Sequence, residues 1–136
     1  MRRCWLALAP LLAAGCELLE PGEADRIPGR YRLSAYGGQA LPAVIAGSAA
    51  GARVELRSAE LEMRRNYFWV LRSQVDTVDE RGRRSATVTD SGTFRFEVAP
   101  GQLVFFTTDG RQQPAAVAGD TIDVFWRRER HDVFVR

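Results

Sequence analysis

Side chains able to do covalent or metal chemistry are scarce in this chain. Its 136 residues include one histidine, His131, and two cysteines, Cys4 and Cys16. A nucleophilic serine needs an imidazole base that an acid orients. Any such arrangement here has to recruit His131, which stands between Arg130 and Asp132 in a stretch that reads as a solvated polar turn. A structural zinc site needs about four Cys, His or acidic ligands, and no conventional set is spaced for it. Asp76, Asp79 and Glu80 are close enough in sequence to gather calcium, but they lack EF-hand spacing and read as an acidic turn. No Gly-rich phosphate loop occurs. The expectation is a non-enzymatic protein with no catalytic residues, no metal and no cofactor.

The thiol with the most telling surroundings is Cys16. Arg2 and Arg3 precede an apolar run from Cys4 to Ala14, broken only by Pro10, and Leu12-Ala13-Ala14-Gly15 leads directly into the cysteine. The run is too short for a spanning helix, which needs about 20 apolar residues, and it fits the hydrophobic region of a signal peptide. The first 16 residues resemble bacterial lipoprotein signal peptides, whose pattern is an aliphatic residue, two small ones, then cysteine. The match departs at one place: Ala13 stands in the aliphatic position and Leu12 lies one residue early. The resemblance implies cleavage of residues 1–15 and lipidation of Cys16 with palmitate-type acyl chains. It implies a cell-envelope protein whose partner is the membrane, on the periplasmic side of the outer membrane. The alternative is an ordinary secretory signal with Cys16 unmodified. Residues 16–29 then read as lipidated cysteine and tether, rich in acids, prolines and glycines. At about 3.3 Å per extended residue, the tether reaches roughly 40 Å.

Charge agrees with an envelope domain and not with nucleic-acid binding. All 19 basic residues are arginine, against 17 acids, for a formal charge of +2. Cleavage before Cys16 removes Arg2, Arg3 and no acid, leaving 17 of each. A neutral domain lacks the basic surplus that a nucleic-acid surface uses. Arg81, Arg83 and Arg84, and Arg127, Arg128 and Arg130, form two small basic tips that read as charged hairpin ends.

Residues 30–136 are long enough for one domain with one core, and their pattern is β throughout. Short alternating runs punctuated by turn residues replace any sustained helical period. Strands are expected at Arg30–Tyr36, Arg53–Arg57, then in opposite phase Ala59–Met63 with Ser58 as a bulge or a tight turn, and at Tyr67–Thr77, Ser85–Thr89, Thr93–Val98, Gln102–Thr108, Pro114–Ala118, Thr121–Arg127 and Val133–Arg136. Phe94, Phe96 and Val98 should face inward, as should Ile122, Val124 and Trp126. Gln39–Ala52 reads as a long loop able to cap an open end, with a short helix around Pro42–Ala46 as the alternative. Turns are expected at Arg64-Arg65-Asn66, Asp79–Arg84, Asp90-Ser91-Gly92, Ala99-Pro100-Gly101, Asp109-Gly110, Gly119-Asp120 and Arg130-His131-Asp132. About eight to ten short strands in sequence give an all-β, antiparallel up-and-down meander, closed as a barrel or folded as a sandwich.

Gly29-Arg30-Tyr31-Arg32-Leu33, Gly38-Gln39-Ala40-Leu41-Pro42, Asp90-Ser91-Gly92-Thr93-Phe94 and Val133-Phe134-Val135-Arg136 resemble small bacterial lipoproteins with a lipocalin-like barrel. The resemblance implies a barrel able to hold a small apolar ligand, for which Tyr31, Trp69, Phe94, Phe96 and Trp126 are the candidate contacts. The other expectation is a filled barrel acting as a structural or interaction module against an envelope protein. An eight-stranded barrel is just wide enough for either outcome.

Overall fold

The structure is a computed structural model that describes residues 25–48, 51–127 and 130–136. The leader, Cys16 and the tether up to residue 24 lie outside the described residues, as does the side chain of Trp126. Nine strands follow one another: β1 (Gly29–Tyr36), β2 (Ala43–Gly47), β3 (Arg53–Met63), β4 (Phe68–Asp79), β5 (Gly82–Phe96), β6 (Gln102–Thr107), β7 (Gln112–Ala118), β8 (Thr121–Arg127) and β9 (Arg130–Val135). From β3 to β9 each strand pairs antiparallel with the next, β9 pairs with β1, and β1 returns to β3. Eight strands therefore close into an up-and-down barrel of the lipocalin-like kind, with β2 as an added strand. Closure excludes the sandwich and removes most exposed strand edges.

One edge of β3 is shared by two partners. Residues 60–63 pair with β1, and residues 53–56 pair with β2. The long hairpin of β4 and β5 also outgrows the barrel, because β6 covers only residues 92–96 of β5. Strands β2 to β5 thus continue as a flap above one end. We call that end the mouth and the opposite end the base.

Period-two alternation drives the interior. Tyr31, Leu33, Leu61, Met63, Trp69, Phe94, Leu103, Phe105, Ile122, Val124 and Phe134 are all buried in a single core. The expected bulge is present, between Leu56 and Ser58; it moves Leu56 and Ala59 onto the same face. At the base, Ile27 is buried in the core two residues before β1 begins, so the ordered unit starts inside the stretch read as tether. The Tyr31 hydroxyl donates to the Ile27 carbonyl at 2.7 Å. Arg136 donates to the carbonyls of Arg26, Ile27 and Pro28 at 2.6–3.3 Å and lies over the Tyr31 ring, 4.8 Å from its centre.

Four expectations are corrected. Gln39–Ala52 is not all loop, because Ala43–Gly47 forms β2 on the edge of β3 that β1 leaves open. Asp90-Ser91-Gly92 is not a turn: β5 runs through it, held by unbroken pairing to β4 from Gly82 to Thr93. Turn-prone residue types lose there to a twelve-pair register. Arg130-His131-Asp132 lies within β9. Val98 does not point inward but is 98% exposed, because β5 ends at Phe96 and the next residues turn through the Gln102 N–H to Ala99 carbonyl bond.

Of the acids read as a turn, Asp76 and Asp79 are strand residues of β4, and Glu80 lies in the turn to β5. Asp76 is buried on the outer face, where Ser85 and Arg83 donate to it at 2.6 and 2.5 Å. The Ser85 and Arg83 bonds hold the Asp76 carboxyl below its ordinary range. Arg53 does the same for Glu55, and Arg64 and Arg72 for Glu62. Groups depressed in the fold stabilise it above the unfolded carboxylate range, and that stabilisation disappears as pH falls through the range and below it. The melting temperature should hold steady from about pH 8 to 5 and drop below about pH 4. A pH series of thermal melts checks this; a steady melting temperature to pH 2 would count against these ion pairs.

Candidate functional site

Aromatic side chains pack the lower barrel, and the larger opening is at the mouth. Trp69 lies edge-on to Phe105, with ring centres 5.7 Å apart, and Phe94 tilts against Phe105 at 6.2 Å. With Tyr31, Met63 and Leu103 these rings occupy the lower barrel. Above them only a void of about 10 Å³ remains among Leu61, Trp69, Leu71, Phe105, Val124 and Phe134. That is no more than one water's space. Leu71 and Phe134 form both its ceiling and the floor of a much larger mouth cavity of about 330 Å³.

Each wall of the cavity follows from strand phase. Leu33 and Tyr36 come from β1, Leu56 and Ala59 from β3, Leu71, Ser73 and Val75 from β4, and Gln113 from β7. On β9, Arg130 and Asp132 share the inward phase of Phe134. The flap closes over one side, where Ile45 of β2 and Val88 of β5 reach the lining. The stretch read as a capping loop does stand at the mouth, but as a strand.

Most of the lining is apolar, and all of its polar side chains except Ser73 come from β7, β9 and the turn before β7. Asp132 is buried; its Oδ1 accepts the Gly37 N–H at 3.0 Å and its Oδ2 accepts Arg130 at 3.1 Å. The Arg130 guanidinium carbon lies over the Tyr36 ring, 3.9 Å from its centre. This pairing of planar cation with ring and carboxylate fixes the arginine in one orientation. Its Nε–H is nevertheless buried without an acceptor among the described residues. Buried polar groups are almost always bonded, which makes this nitrogen an exception among the described residues. Arg111 lines the rim, with its Nε held by Asp109 at 2.7 Å.

Four of the five candidate ligand contacts can be placed. Tyr31, Trp69 and Phe94 are buried packing of the base, and none of them lines the mouth cavity. Phe96 borders a smaller base cavity of about 100 Å³, beside Ile27 and Leu103. Trp126 lies outside what can be placed. Large inward aromatics fill a narrow barrel; a cavity forms where inward positions are small or polar. Ala59, Ser73 and Gln113 carried that signal, as did the shared phase of Arg130, Asp132 and Phe134.

His131 points the other way. It lies on the outer face of β9, where Nδ1 pairs with Asp123 at 2.8 Å and the ring stacks on Phe125 at 6.0 Å. The arrangement holds the imidazole against the sheet and puts no serine against it.

Comparison with known proteins returns no matching family model, no matching curated protein and no matching solved structure.

Proposed function

We propose that this chain is a lipid-anchored envelope protein whose barrel binds a small, largely apolar ligand through its mouth. The observation that carries the binding reading is the mouth cavity of about 330 Å³, walled mostly by apolar side chains with a few polar groups. Ligand sites commonly have this size and lining. The apolar body of the ligand would rest on Leu33, Leu56, Leu71, Val75 and Phe134. A polar group on it would lie beside Arg130, Asp132 and Gln113. The anchor reading rests on the residues preceding Cys16.

Filling the cavity without adding polarity tests the binding site. Ala59 is buried on the lining, and Ala59→Phe places a ring there. Saturable binding of the neutral fluorescent probe N-phenyl-1-naphthylamine should weaken at least tenfold, a loss of about 1.4 kcal/mol, while the melting temperature does not fall. Unchanged binding in Ala59→Phe, or no saturable binding in the parent protein, would sink the proposal. The anchor has its own test. Cys16→Ala should abolish incorporation of an alkyne-tagged palmitate and leave unprocessed precursor; persistent labelling would refute Cys16 as the acceptor.

A further inference from the structure

The flap leaves one long strand edge without a partner among the described residues. Residues 82–91 of β5 pair with β4 on one side, while β6 begins only at Gly92. Residues 82–89 are exposed along this edge, Val88 by half. An unpaired edge is a template for another strand, and proteins usually guard it with proline, lysine, a bulge or a covering segment. This edge contains no proline and no lysine, and its pairing to β4 runs without a register shift.

The sequence along the edge reads Arg84-Ser85-Ala86-Thr87-Val88-Thr89-Asp90. Alternation places Arg84, Ala86, Val88 and Asp90 on one face and Ser85, Thr87 and Thr89 on the other. The segment complements its own reverse. We propose that this edge is a self-pairing surface, on which a second copy of the chain docks antiparallel about a twofold axis through Thr87. In that register Arg84 faces Asp90 of the other copy, Ala86 faces Val88, and Ser85 faces Thr89, each pair occurring twice. Opposite charges and apolar pairs directly across antiparallel strands are favourable. Such an isologous contact is the usual form of a twofold dimer.

Other registers lose this match. A shift of two residues sets Arg84 opposite Val88 in one direction and opposite Gly92 in the other. A shift of one turns one copy over, so the two cavity-side faces no longer lie on the same side. Asp90 carries no ion pair among the described residues: its Oδ1 accepts only the adjacent Ser91 N–H. Arg84 is bonded to Asp79 at 2.6 Å but remains largely exposed, with further N–H donors to give. Paired in this way, the two flaps form one continuous sheet. Val88, which lines the mouth cavity, then lies at the seam, so each mouth is bounded in part by the other copy.

Sedimentation equilibrium of the full chain in density-matched detergent, under reducing conditions, tests the proposal. The parent protein should associate to a dimer. Arg84→Asp and Asp90→Arg each set like charges face to face twice and should weaken the dimer at least roughly tenfold. The double variant Arg84→Asp/Asp90→Arg restores opposite charges and should return affinity to near the parent value. All three changes fall on exposed or half-exposed positions, and matched melting temperatures would show that the barrel persists. A parent protein that stays monomeric overturns the proposal, leaving the edge to some other strand. A dimer indifferent to both single changes, or singles that the double variant fails to rescue, overturns it as well.

Discussion

Alanine at position 92 should cost the barrel about 3–5 kcal/mol, among the largest effects expected of any single methyl group. Gly92 lies on β5 opposite Trp69 and Thr107. A Cβ there would meet the Phe106 carbonyl oxygen at 1.9 Å and the Trp69 indole at 2.9 Å. The glycine is required for close approach and not for an unusual backbone angle. Relief would require β5 and β6 to part where they close the barrel, and would also disturb the Trp69 Nε1–H bond to the Thr93 carbonyl, 3.0 Å long. The closer obstacle is backbone and cannot rotate away. Trp69→Phe in the Gly92→Ala background should therefore recover little of the loss. Urea denaturation of both single variants and the double measures this directly. A cost below about 1 kcal/mol for Gly92→Ala would mean the strands yield easily there.

Tyr31→Ala should be comparably damaging, at about 3–5 kcal/mol, by emptying a buried aromatic site. Tyr31→Phe separates packing from polarity. It keeps the ring and leaves the Ile27 carbonyl without its 2.7 Å donor, for an expected loss of about 1–2 kcal/mol. Burial raises the Tyr31 pKa, and the neighbouring Arg136 opposes that rise. Arg136→Ala should consequently push the phenol still higher. It should also release residues 25–28, seen as faster amide exchange there with the rest of the barrel protected. A Tyr31 titration unmoved by Arg136→Ala would contradict the contact. Tyr31 was read from the sequence as a ligand contact; its measured role should be to hold the base closed.

The barrel was legible because its alternation is strong. Ile122 and Val124, and Phe94 and Phe96, each declared an inward face, and Asp109-Gly110 and Gly119-Asp120 marked their hairpins. What misled was local turn chemistry inside long pairings. Asp90-Ser91-Gly92 has the composition of a turn, but whether it turns depends on β4, which supplies its partners across a gap of some twenty residues. The site was missed for a related reason. Bulk was taken as a sign of ligand contact, yet in a barrel this narrow bulk fills space. The cavity is marked by Ala59, Ser73, Gln113 and Asp132, whose meaning emerges only once strand phase is known. Self-complementarity of the β5 edge was invisible while that strand was split in two.

The base fastening has a mechanical consequence. The chain enters the barrel at Ile27 and runs up β1, which is bonded to β3 through residues 29–32 and to β9 through residues 32–36. If Cys16 is held in a membrane, drag on the domain is delivered along the axis of β1. Those two ladders are then loaded in parallel and in shear, so many bonds must fail together instead of one after another.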